Sequence, residues 1–298
     1  LSDTSHLVPY ASAIALGETG LGHANAYTYK NAYMPLARRN IFHYMIFANS
    51  QNANGSAGSS GVAEIQGNDV IISLGQWFGS STGAITNYIV NWQASTVMHE
   101  LGHNLGLRHG GNENNNYKPN YISTMNYLYQ LNGLPVIGAV AEGDRWYFEN
   151  GQIKGVTYYD KLTNGPDRFP TIYSMDYSGG TSSSLVESAV NEGSGLGRGG
   201  SAWVDYNNNS ANNASISINL NPSYSSTTGE TLADYNDWAN LYLTFQRNYD
   251  GDSTGVGGEL SSGRVAKGFF VYRSMGSDRQ ALAPLCPSPR RIILPKSD

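Results

Sequence analysis

Residues 99–109 read HELGHNLGLRH, and this stretch decides how the rest of the chain is read. It holds three of the six histidines of a 298-residue sequence, with Glu100 beside the first and Gly106 between the second and third. Residues four apart stand one above the other on the same helical face. His99 and His103 on one helix therefore aim two imidazoles at a common point. Glycine reaches positive φ without steric cost, so Gly106 can end that helix and turn the chain. Leu107 and Arg108 then bring His109 back toward the first two within three residues.

Three imidazoles delivered to one point are the ligand set of a catalytic zinc ion, which leaves a fourth position open to water. The spacing predicts zinc held by His99, His103 and His109. Glu100, adjacent to a ligand and projecting to the side, is placed to act as general base.

Outward from the motif, Ile85, Ile89, Trp92, Met98, Leu101 and Leu105 recur at helical spacing, predicting a helix of roughly twenty residues that ends at Gly106. Before it, residues 40–50 (NIFHYMIFANS), 62–67 (VAEIQG) and 70–77 (VIISLGQW) read as strands. Val62, Ala63, Glu64, Ile65 and Gln66 alternate as an edge strand with one wet face does. His43 reads as a strand side chain rather than a ligand. After the motif, residues 182–195 predict a short helix. Residues 231–247 predict a longer one, with Leu232, Tyr235, Trp238, Tyr242 and Phe245 on one face. The proline-rich tail predicts extended chain.

Composition narrows the partners. Charged residues make up 14% of the chain, against roughly a quarter in an ordinary globular protein, and the net charge is −5 with no basic block. That is not the footprint of a nucleic-acid or anionic-membrane binder. No apolar run approaches the roughly 20 residues of a membrane helix. The opening LSDTSHLVPY reads as a processed product, and the weakly charged, Asn-, Ser- and Gly-rich composition as that of an exported one. Cys286 is the only cysteine, which rules out an internal disulfide and raises the possibility of a thiol that keeps the zinc site latent.

The pattern H-E-x-x-H-x-x-G-x-x-H resembles the signature of the metzincin zinc metalloproteases, and the resemblance runs over about residues 99–127. RRNIFHYMIF, GVAE, HELGHNLGLRHGG and MNYLYQ together resemble a bacterial group of secreted metzincins. It implies an α+β catalytic domain in two parts. Residues 1–106 would form an upper subdomain with a mixed β-sheet and the active-site helix. Residues 107–298 would form an irregular lower subdomain with the third ligand, a Met-turn, a C-terminal helix and the extended tail. Two methionines are candidates for the Met-turn, Met125 in STMNY and Met175 in YSMDY, and the shorter return loop favours Met125. By resemblance to the astacin and serralysin pattern, Tyr127 would ligate zinc or stabilise the oxyanion. Gly110 departs from those families, which often carry Asp, Ser, Pro or Glu after the third histidine, so no subfamily is assigned.

These features predict a secreted zinc endopeptidase acting on protein or peptide substrates. A zinc hydrolase of a non-peptide bond and a non-catalytic metal-containing binding module are the other readings, the latter disfavoured by the intact Glu100. Two loops carry a calcium-like rhythm: Asp205, Asn207 and Asn209 alternate, and Asp250 and Asp252 precede Gly255. The first lacks the glycine and glutamate of an EF-hand loop, and in the second Glu259 comes two positions early.

Overall fold

The structure is a computed structural model. It describes residues 13–16, 24–39, 41–78, 87–135, 137, 148–149, 152–153, 173–201, 203–207 and 209–243. Two short strands, β1 (Ile14–Ala15) and β2 (Ala24–Asn25), pair in parallel, and helix α1 (Ala26–Tyr33) follows. Asn25 caps α1 by accepting the Tyr27 N–H at 2.8 Å, which satisfies one of the amides a helix start leaves open. A single turn, α2 (Leu36–Arg39), leads into the central sheet.

That sheet has three strands in the order β3 (Tyr44–Phe47), β5 (Asp69–Ile72), β4 (Gly61–Ala63). β3 runs parallel to β5 and β4 antiparallel to it, so the sheet is mixed and β4 is an edge. Successive side chains of a strand point to opposite faces, and β5 buries both. Ile71 packs with Ile14, Leu16, Ala26 and Tyr27 toward α1. Val70, Ile72 and Leu74 pack with Trp92 of the long helix α3 (Asn87–Asn104). β5 is thus a central strand sandwiched between helices. The residues after it form a 3-10 turn (Gly75–Phe78) rather than more strand.

A buried polar knot ties α3 to the β4–β5 hairpin. Asn104, the last residue of α3, donates to the carbonyls of Glu64 (2.8 Å) and Asp69 (3.2 Å), and its Oδ1 accepts from His43 Nδ1 at 2.8 Å. Behind it Tyr27 donates to Glu64 Oε1 (2.8 Å), and Lys30 pairs with Asp69 (2.7 Å) and Asn68 (2.9 Å). His43 lies one residue before β3, not in the strand that the sequence predicts over 40–50, and its ring is a structural donor here. Glu64 is buried for the same reason, so the edge strand is shorter than the sequence predicts. It ends at Ala63, and Glu64, Ile65 and Gln66 form the turn, with Gln66 at φ 56° donating its N–H to the His103 carbonyl at 2.9 Å.

Beyond α3 a second core gathers Ile122, Leu128, Tyr129, Leu185, Val190, Tyr206, Leu220 and Leu232. Little regular structure surrounds it. β6 (Phe148–Glu149) and β7 (Gln152–Ile153) form one antiparallel pair, and β8 (Leu185–Val186) and β9 (Thr231–Leu232) another. Two buried carboxylates organise the loops. Glu187 accepts the N–H groups of Leu220, Gly229 and Glu230, and Glu192 those of Tyr206 and Asn213. Buried amides need acceptors, and charged acceptors give the stronger bonds.

This arrangement corrects both helices expected after the motif. Residues 182–195 form β8 and two 3-10 turns, because their glutamates serve the backbone of other segments. The described part of 231–247 is β9 and a 3-10 turn (Trp238–Asn240). Leu232 is drawn into the core and Asp237 is pinned by Tyr121, Ser123 and Ser178, so the apolar period has no surface to lie against. No described helix is long and apolar enough to cross a membrane.

Candidate metal centre

The end of α3 builds the site. Leu107 donates to the Gly102 carbonyl and Gly106 to the His103 carbonyl, both at 2.9 Å, with Gly106 at φ 95°. This is the Schellman closure, in which the residue after the helix must be left-handed. The chain then makes a tight reversal, Arg108 and Gly111 exchanging both backbone bonds, and His109 sits at its tip. Gly110 follows because a side chain there would run into the Asn115 carbonyl. That is the physical reason for its departure from the residues usual after the third histidine.

His99, His103 and His109 offer ligand atoms that all lie within 4.8 Å of one another. Nδ1 of His99 is 2.9 Å from the Thr124 carbonyl and Nδ1 of His103 2.9 Å from the Leu107 carbonyl. A carbonyl only accepts, so both Nδ1 atoms carry the proton and both Nε2 atoms are left as lone-pair donors, the orientation metal-binding histidines adopt. Burial lowers all three ring pKa values. His99 falls well below its usual range, with the other two rings adding to the effect, His103 falls to about 4, and His109 to about 3, helped by His103. At neutral pH the three rings are uncharged, the form that binds metal. Donor type, tautomer and convergence all fit zinc.

Glu100 is buried beside His99, and burial pushes its carboxyl up to about 8. A divalent cation among the three histidines would draw that value back down. Tyr127 lies against the triad, its ring 4.3 Å from His109 and 5.6 Å from His99 between centroids. Burial, and then the charge of Glu100, push its phenol up to about 12, so it stays a donor.

Residues 24–110 match the family model of the reprolysin-like metallopeptidases, family M12B. The match covers less than a third of the chain and stops one residue after the third histidine. No curated protein and no solved structure matches the chain. The reprolysin-like match and the histidine triad together fit a zinc metalloprotease. Met125, Tyr127 and everything beyond them lie outside the reprolysin-like segment.

Met125 is fully buried with Leu107, Tyr121 and Tyr177. Its Sδ occupies the space where a Gly102 side chain would stand. Met175 is 39% exposed. The two candidate methionine stretches nonetheless pack together, since Thr124 N donates to the Asp176 carbonyl (2.8 Å) and Asp176 N to Thr124 Oγ1 (3.1 Å). Val62 and Ala63 lie on edge strand β4, whereas Glu64, Ile65 and Gln66 turn away from it. Asp205 accepts the N–H groups of Asn209 and Ser210, Asn207 that of Asn209, and Asn209 that of Ala211. Asp250, Asp252 and Cys286 lie outside the described residues.

Three contributors escaped the sequence reading. Gly61 lets β4 approach Glu100, and Gly102 makes room for Met125. Asp237 accepts from Ser123 Oγ (2.6 Å), which in turn accepts from Met125 N (3.1 Å). A glycine inside a helix costs about 0.5–1 kcal/mol, and that was the available signal for Gly102. Asp237 is 114 residues from Ser123 and carried none.

Proposed function

We propose that the protein is a zinc-dependent endopeptidase of the metzincin type, secreted from a bacterial cell, with residues 1–106 and 107–298 as the two halves of one catalytic domain. The observation that carries this reading is the placement of Glu100: buried, next to ligand His99, and bordered by the edge strand at Gly61. His99, His103 and His109 would hold the metal. Zinc bound there supplies Lewis acidity that polarises a carbonyl and acidifies water.

The chain's own groups do the rest. An extended peptide adds to β4 through main-chain hydrogen bonds, which sets the scissile carbonyl alongside Glu100. Glu100 takes a proton from the attacking water as the new C–O bond forms. It passes that proton to the amine nitrogen as the C–N bond breaks. Tyr127, protonated, donates to the oxygen on which charge develops, a role whose removal typically costs ~100-fold in turnover.

The test is Glu100→Ala, assayed for casein cleavage and for bound zinc. Retained zinc with lost cleavage is expected, and full cleavage would overturn the base role. Digestion of a peptide library with and without chelator separates this reading from a hydrolase of other bonds and from a binding module.

A further inference from the structure

Tyr117 stands in the left-handed region at φ 60°, where a bulky side chain is an outlier and strain is held in place by its surroundings. The holding group is Asn116. Its buried Oδ1 accepts the N–H of Tyr117 at 2.7 Å and the N–H of Tyr127 at 3.1 Å. One amide oxygen thus clamps two segments ten residues apart. Asn116 is held in turn by Asn221 Nδ2, which donates to its carbonyl at 3.3 Å and to Asn115 Oδ1 at 2.5 Å.

The clamp sets two rings against each other. Tyr117 meets Tyr127 edge-on, 5.8 Å between centroids at 76°, a favoured aromatic geometry. Tyr117 is itself braced against the core that contains Leu128 and Tyr129. Tyr127 is 42% exposed, and its ring also lies against those of His109 and His99.

We propose that Tyr117 is a positioning residue, fixed by Asn116, whose ring confines the Tyr127 ring against the histidine triad. The strained backbone is then the means by which a core-anchored side chain reaches across to the site. The proposal rests on the reading of Tyr127 as the oxyanion donor, but the placement of its ring can be tested apart from that reading.

Glycine accepts the residue-117 backbone without strain, so Tyr117→Gly removes the ring while leaving the loop conformation accessible. Expected is a fall in kcat of ~10-fold or more, the scale of a misplaced catalytic group, with KM within about twofold. In a Tyr127→Phe background the same change should have little further effect. Tyr117→Phe, which keeps the ring, should restore kcat to within about threefold of the native protein. Asn116→Ala should mimic Tyr117→Gly, and Asn116→Asp, which keeps the acceptor oxygen, should restore it.

An independent readout uses tyrosine ring-13C labelling, with the Tyr127 resonance assigned by its loss in Tyr127→Phe. Asn116→Ala, which keeps both rings, should move that resonance by displacing the Tyr127 ring relative to its neighbours, with or without zinc. Unmoved ring signals in folded Asn116→Ala would overturn the proposal, as would an undiminished kcat loss in the Tyr127→Phe background. If the protein cleaves no peptide, the reading of function fails while the ring signals still decide the positioning. If Tyr117→Gly folds poorly, Tyr117→Asn, which also tolerates positive φ, takes its place in the kinetic measurements.

Discussion

Gly61 lies directly against Glu100. A side-chain carbon at residue 61 would stand 2.6 Å from Glu100 Oε1 and 2.7 Å from its Cγ, closer than atoms pack. The edge strand and the proposed base therefore occupy positions that only a glycine permits. Gly61→Ala should push the carboxylate or the strand aside and lower kcat/KM by ~10–100-fold, since displacements of about 1 Å have that effect. Zinc content should stay unchanged, because the histidines are not touched. Unaltered kcat/KM in the variant would show that the carboxylate has room to move.

Gly102 and Met125 form a second such pair, with the sign of the substitution inverted from the usual. Glycine to alanine inside an exposed helix normally stabilises by about 0.5–1 kcal/mol. Here the added methyl would overlap Met125 Sδ and press on Tyr177 Cε1 at 3.1 Å. Gly102→Ala should destabilise by ~1–3 kcal/mol, the cost of overpacking a core, read as a lowered denaturation midpoint. The double variant with Met125→Ala should recover part of that loss relative to Met125→Ala alone, because the methyl then fills space the thioether left. A stabilised single variant would refute the close contact.

Asp237 predicts a pH dependence of stability. Burial raises its pKa from 3.8 to about 6, against the hydrogen bonds from Ser123, Ser178 and Tyr121, which pull it down. The folded state therefore holds the proton more tightly than the unfolded chain. The associated stability is fully present below about pH 4 and is lost as pH rises through about 6. The shift corresponds to ~3 kcal/mol at about 1.4 kcal/mol per unit. Unfolding of native protein and Asp237→Asn, compared from pH 4 to 7, should show the native protein losing stability relative to the variant. A pH-independent difference would mean that Asp237 does not titrate in this range.

Removal of metal should be visible in stability as well as in activity. A ligand that binds only the folded chain stabilises it by ~4 kcal/mol at a thousandfold excess over Kd. Chelation should lower the melting temperature of the native protein, and restoring zinc should reverse it. His109→Ala should narrow that gap by weakening the site. A melting temperature indifferent to chelator in the native protein would argue against a resident metal.

The sequence by itself determined what depends on neighbours in the chain. Helical periodicity and Gly106 place His99, Glu100, His103 and His109 around one point, and the strands before the helix are legible from their β-branched, aromatic runs. Local chemistry suffices to bring the rings together there, whereas the His99 ring is oriented by the Thr124 carbonyl, 25 residues away. Tertiary structure decided the remainder. Only the fold shows that Glu64 is drawn inward by Tyr27 and Asn68, that Leu232 enters a strand pair rather than a helix, and that Asp237 closes on Ser123. The physical reason is that a buried polar group or apolar side chain must satisfy itself wherever a partner lies, and for Glu64, Leu232 and Asp237 a partner lies in a distant segment of the chain. Gly61, Gly102 and Asn116 belong with this second group, since what fills the space beside each comes from another segment.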